Sequence, residues 1–406
     1  MAPISPPLSA YPYSAAAPAA SGTAARRNNF DALRLTAAIS VVFSHAFLIA
    51  EGSEANEPFV RLTGSQCVLG LVGVFVFFVI SGYLVTGSYC RRPQPGHFAL
   101  PRVLRIYPGL AVNLVLCATV LGPLVTCLPL DQYFRSPELA GYLARSFALS
   151  PTAPSLPGAL FADNPAGGIV NGSLWTLRYE MMLYALVLAL GALRLLRLPA
   201  ALALTALGIA AVANETALKP FGDLGEMAWL SGFFGAGMAL YFLRGRLPFT
   251  WLGAAAAVAA LALFAWLHLF IMLFPLAGAY LAIGLATRYD PALAVCRSLG
   301  DLSYGLYIYG WPAEALVMWL SGGRAAWWQV FLGGLSLALP LAWLSWHLVE
   351  KRALRWRPRR IRIRQPGAPR ATVPGEFGSA SGMKARRPRP RPDVPPLSCP
   401  AGSEIE

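Results

Sequence analysis

Apolar residues along this chain gather in blocks close to twenty residues long, each closed by arginine, proline or a polar cluster. A helix of that length crosses a hydrocarbon layer about 30 Å thick. Ten such blocks follow one another, over residues 30–50, 68–89, 103–125, 174–196, 199–213, 227–243, 250–267, 270–287, 299–320 and 326–348. The fifth is short, and the break near His268 is open to argument. Because blocks of spanning length recur along the whole chain, the pattern predicts an all-α, polytopic integral membrane protein with about ten transmembrane helices. A soluble helical bundle does not account for that recurrence.

Composition agrees, with 13% charged residues among 406 and a mean hydropathy of +0.53. The placement of charge then orients the spans, because cytoplasmic loops collect Lys and Arg. Arg26 and Arg27 precede the first block; Arg91, Arg92, Arg102 and Arg105 lie between the second and third. Arg194 and Arg197 follow the fourth, Arg244 and Arg246 the sixth, and Arg288 and Arg297 the eighth. The opposite loops carry Glu51, Glu54, Glu57, Asp131, Asp163, Asp223 and Glu226. N- and C-termini are therefore expected in the cytoplasm, and the 126–173 connection outside. No inverted repeat is visible, which weighs against a secondary transporter.

Three regions follow: an Ala/Pro-rich arm over 1–27, a transmembrane domain over 28–356 and a basic tail over 357–406. The arm lacks a cationic start and an apolar core, so it is not read as a signal peptide. Most of the net charge of +14 lies beyond Glu350. A basic run behind the last span reads as a topology signal and a contact for anionic lipid. No aromatic-lined domain accompanies it, so nucleic acid is not expected. Six cysteines and four histidines show no ligand spacing, and no metal is expected. Cys67 and Cys127 both fall near outer ends of spans, which leaves a disulfide open against two separate thiols.

Within this apolar chain an ionisable side chain inside a span costs roughly 2.5–3.5 kcal/mol on insertion scales. The first block, NFDALRLTAAISVVFSHAFLIA, carries Arg34 and His45. Eleven residues at 100° each return to nearly the same face, about 16 Å further along the axis. Ala38 and Val41 lie on the stripe between them. Arg34 has two readings, a functional cation or an interfacial partner of Asp31 that snorkels. His45 likewise reads as a general base or as a packed hydrogen-bonder. Glu180 follows Ser173 by two helical turns, on one face with Thr176 and Tyr184, at a depth expected to approach that of His45. It reads as a carboxylate orienting His45 or as a structural partner of Arg178. Ser303, Tyr304 and Tyr307 read as an aromatic belt, Ser81 as a packing residue and Glu350 as an interfacial ion pair with Lys351 or Arg352.

The spacing FDALR to VVFSH closely resembles the first helix of the acyltransferase family 3 membrane proteins. GVFVFFVISGYLVT at 73–86, RVLRIYP at 102–108, SLWTLRYEMMLY at 173–184, LGDLSYGLYIYGWP at 299–312 and HLVEKRAL at 347–354 are similar to later blocks of that family, in the same order. The resemblance implies transfer of an acyl group, usually acetyl from acetyl-CoA, to a hydroxyl of a cell-envelope carbohydrate at the inner membrane. Acyl-CoA is then a donor substrate, with no permanently bound cofactor. Arg34 and His45 carry over as the essential pair. Arg102 and Arg105 enter from the donor side and read either as holders of CoA phosphates or as ordinary positive-inside charge. Many relatives have His before the Trp-Pro pair where this chain has Gly310, which leaves His45 as the base, or as the site of an acyl-histidine. His97 and His347 fall near the inner face, His268 in a short outer turn. The rival of a different class is a transporter or exporter of a glycan or polyol using the same charges as a path.

Overall fold

The computed structural model describes residues 28–356 apart from 151–154, 159–160, 162–163, 289, 294–295 and 297–298. The arm over 1–27, the tail over 357–406, and Asp163, Arg297 and Cys399 lie outside the described residues. The architecture is all-helical. Among the described residues ten helices have sixteen residues or more: α1 Phe30–Glu51, α2 Leu69–Arg91, α3 Pro95–Val125, α4 Trp175–Ala192, α5 Leu198–Ala213, α6 Asp223–Leu243, α7 Trp251–Trp266, α8 Phe270–Thr287, α9 Ser303–Leu320 and α10 Trp327–Trp356. A π turn interrupts α3 at Cys117–Leu121, and a second at Ser345–Glu350 lies in the last part of α10.

Six of these, α1, α2, α3, α4 with its leading turn, α8 and α10, are long and apolar enough to cross a membrane. α5 and α7 are shorter apolar helices. The chain is a multi-pass membrane protein. α9 sits deepest, with every residue from Ser303 to Ala315 buried. A helix enclosed by other helices meets little lipid, so it tolerates the tyrosines, tryptophan and carboxylate that α9 carries.

Small residues set the tightest crossing. A side chain at Gly82 of α2 would run into the Phe234 carbonyl of α6, and one at Gly237 of α6 into the Val79 carbonyl of α2. Such close approach gives backbone and dispersion contact where lipid offers no hydrophobic drive. α1 runs antiparallel to α2, with Gly70 against Ser44 and Gly73 against Ala37, and α9 lies beside α1 with Gly310 against Val42. Asn29 ties the start of α1 to the end of α8, its backbone N–H donating to Ala286 at 2.8 Å.

Two expectations change. α3 begins at Pro95, so Arg102 and Arg105 lie inside a helix rather than in a loop. Proline suits the first helical position, and the helix continues through the internal Pro101 and Pro108. The 126–173 connection contains helices Leu130–Arg135 and Pro137–Phe147, the second capped by Ser136. His268, at φ 56°, makes the break between α7 and α8. Cys67 and Cys127 are separate thiols.

Candidate active site

Asp301, just before α9, joins charges from two other helices. Its Oδ2 accepts from Arg105 Nη2 at 2.5 Å and lies 3.6 Å from Arg34 Nη1, while Oδ1 accepts from the Ser303 hydroxyl at 2.6 Å. Burial pushes this carboxyl up, but Arg105 and then Arg34 outweigh it and hold it down at about 2. Arg34 therefore pairs with Asp301, which is 267 positions further on. Arg102 turns to Phe98, its guanidinium 3.6 Å from the ring centre and 5.7 Å from that of Tyr184.

Above this cluster lies a narrow cavity of about 110 Å³ lined by Arg34, Arg105, Ser81, Glu180, Tyr304 and Tyr307, among others. The Glu180 carboxylate accepts from Tyr184, and the Ser81 hydroxyl lies 3.3 Å from the same oxygen. Glu180 is thus not an orienting partner of His45, nor a partner of Arg178, which pairs with Asp223 at 2.7 Å. Depth explains the first difference. Gly172 packs on Trp311, whose ring meets that of His45, and Glu180 lies eight residues along the helix from Gly172, about 12 Å nearer the Arg34 end.

Tyr304 and Tyr307 form no surface belt. Both are buried, the Tyr304 hydroxyl donating to the Ile106 carbonyl at 2.6 Å and the Tyr307 hydroxyl lying 2.6 Å from that of Thr176. Glu350 makes no interfacial ion pair either. The π turn at Ser345–Glu350 draws it inward, where it is fully buried and accepts from the Ser345 hydroxyl at 2.9 Å.

One helical turn beyond Tyr307, the Trp311 ring stands edge-on to His45, centroids 4.8 Å apart at 75°. His45 Nδ1 is shielded from solvent and has no hydrogen-bond partner among the described residues. On the far side of Trp311, its indole N–H donates to the Ile169 carbonyl at 3.0 Å. Ile169 and Gly172 line a second, larger cavity of about 440 Å³ beneath the 126–173 connection. Pro312 helps to hold α9 there. It cannot supply the N–H that Ile308 C=O would otherwise receive, and the side chains of Asn113 and Asn171 fill the place at 2.9 and 2.8 Å.

The acyltransferase domain model of acyltransferase family 3 matches residues 27–347. The chain belongs to acyltransferase family 3. It is 32% identical over 364 residues to Nodulation protein 10 of Rhizobium leguminosarum bv. viciae, covering 82% of this chain and 94% of that protein. It is 28% identical over 343 residues to an O-acetyl transferase of Shigella phage Sf6, covering 81% of this chain and 96% of that protein. No solved structure matches.

For a family 3 acyltransferase the geometry groups the sequence-predicted residues in two sets. Arg34, Arg105 and Glu180 share one cavity and Arg102 stands beside it. His45 lies apart, against Trp311. Sequence reasoning passed over Asp301, which stood in the LGDLSYG block, and Glu314. The latter is a fully buried carboxyl on α9 with neither oxygen hydrogen-bonded among the described residues. A charged residue in an apolar block was the signal that singled out Glu180, and it applied equally to Glu314.

Proposed function

We propose that this acyltransferase moves an acyl group, most often acetyl, from acyl-CoA to a hydroxyl of a cell-envelope carbohydrate at the inner membrane. The observation that carries the reading is a pair of separate cavities near the Trp311–His45 pair, one lined by Arg34, Arg105 and Tyr307, a turn before Trp311, and the other lined by Ile169 and Gly172, which contact Trp311. The narrow cavity, with Arg34 and Arg105 at its mouth and Arg102 near, suits the pantetheine arm and phosphates of a cytosolic thioester. The wide one faces the outside if basic loops lie in the cytoplasm, with about ten spans and both termini inside. The phage relative, named for O-acetyl transfer, supports an oxygen acceptor.

In this reading an unpartnered nitrogen of His45 takes the proton of the acceptor hydroxyl as its oxygen attacks the thioester carbonyl. The C–S bond then breaks, the thiolate takes the proton from His45, and free CoA and an O-acyl ester leave. Base help of this kind contributes about 10²–10⁴-fold, and positioning supplies much of the rest. Glu180 accepts from the Tyr184 and Ser81 hydroxyls and fixes their orientation on the wall of the narrow cavity.

Purified protein in nanodiscs should release CoA thiol from acetyl-CoA only when an acceptor is added, with the acylated product seen by mass spectrometry. His45→Ala should abolish release while the protein still accumulates in membranes. Near-normal transfer by that variant sinks the mechanism, and glycan movement without thiol release would mark a transporter.

A further inference from the structure

The wider cavity is unlike the one near Arg34. Its wall includes residues 168–172, the aromatic residues Tyr142, Trp175 and Tyr179, and Ser146, Ser150 and Ser155. At about 440 Å³ it lies within the range of about 300–1,000 Å³ usual for small-molecule sites. Its one lining cation is already balanced. Arg178 Nη2 binds Asp223 Oδ2 at 2.7 Å and Nη1 donates to the Leu149 carbonyl at 3.2 Å, while the Tyr179 hydroxyl donates to Asp223 Oδ1 at 3.0 Å. Aromatic faces match the C–H faces of a sugar ring, and hydroxyls and peptide groups match its edge. A carboxylate or phosphate brought here would have to compete with Asp223 for the charge of Arg178.

We propose that this cavity is the acceptor subsite and that it takes an uncharged glycosyl ring, the Arg178–Asp223 pair discriminating against anionic sugars. The inference rests on the acyl-transfer reading above. Trp311 packs behind the cavity wall, against Gly172. Its N–H is tied to Ile169 in the cavity wall, and its edge touches His45, so a ring hydroxyl reaches the imidazole only past this indole.

The test uses the purified full chain in nanodiscs, acetyl-CoA, and methyl glycosides of glucose, galactose and rhamnose against methyl glucuronide. Thiol release should favour the neutral set by about tenfold or more in kcat/KM, and Trp175→Ala should raise acceptor KM by about tenfold with acetyl-CoA KM unmoved. Trp175→Phe should recover part of that loss, which a mere folding defect would not. Asp223→Asn, by freeing Arg178, should narrow the gap between glucuronide and glucoside by about tenfold. A wild-type preference for glucuronide, a Trp175→Ala effect confined to acetyl-CoA, or an Asp223→Asn variant with the parental ratio overturns the subsite. Calorimetric binding of the same glycosides without donor separates the two levels. Neutral glycosides bound by the wild type and lost in Trp175→Ala, with no thiol release, would leave the subsite standing and remove the transfer reading. No binding of any neutral glycoside would remove the subsite.

Discussion

Asp301, half-buried, and Glu314, fully buried, are carboxyls with opposite fates. Asp301 has two guanidinium partners and a hydroxyl, and its carboxyl is held at about 2 from an ordinary 3.8, so the pair persists at any physiological pH. A depressed folded value adds stability that is complete above the ordinary value and lost as pH falls through the folded one. Thermal melts of Asp301→Asn should therefore start lower at neutral pH and show a shallower acid loss between about pH 4 and pH 2 than the parent. An unchanged acid limb would mean that Asp301 is not the group titrating. Glu314, without a hydrogen-bond partner among the described residues, carries the desolvation cost uncompensated. Glu314→Met, close in volume, should raise stability by about 1–3 kcal/mol, read as a higher melting temperature in detergent. A lower one would reveal a partner that the native packing depends on.

At the scale of elements, α9 holds the centre through what it lacks. Gly310 has no side chain, and a Cβ there would meet Val42 of α1 at 2.7 Å. A longer side chain here would have to displace that of Val42. Gly310→Ala should cost about 1–3 kcal/mol by overpacking, and Val42→Ala in the same chain should recover much of it. Additive losses in that double-mutant cycle would place the two helices further apart. Pro312 adds the second absence, leaving Ile308 C=O to Asn113 and Asn171 and so joining α3 and the 126–173 connection to α9 beside Trp311.

At the scale of the whole molecule, α2 and α3 run in opposite directions, so exposed Cys90 and Cys127 stand at opposite ends of the bundle. A membrane-impermeant maleimide should label Cys127 in intact spheroplasts and Cys90 only after permeabilisation, with peptide mapping to separate them from the other thiols. The reverse pattern would invert the proposed orientation and exchange the donor and acceptor ends. Much of this was legible beforehand. Blocks of spanning length required helices because unpaired backbone groups are too costly in hydrocarbon, and the Arg34-to-His45 spacing put both on one stripe by helical geometry alone. The sequence by itself therefore determined the helical class, the multi-pass character and the gathering of chemistry on α1. Partnership was not legible, because it depends on which helices touch and at what height. Glu180 bonds to Ser81 and Tyr184 instead of His45, Arg34 meets Asp301 instead of Asp31, and Trp311 stands against His45. Only tertiary packing decided these, since a periodic pattern fixes the face of a helix but not the depth at which a neighbour crosses it.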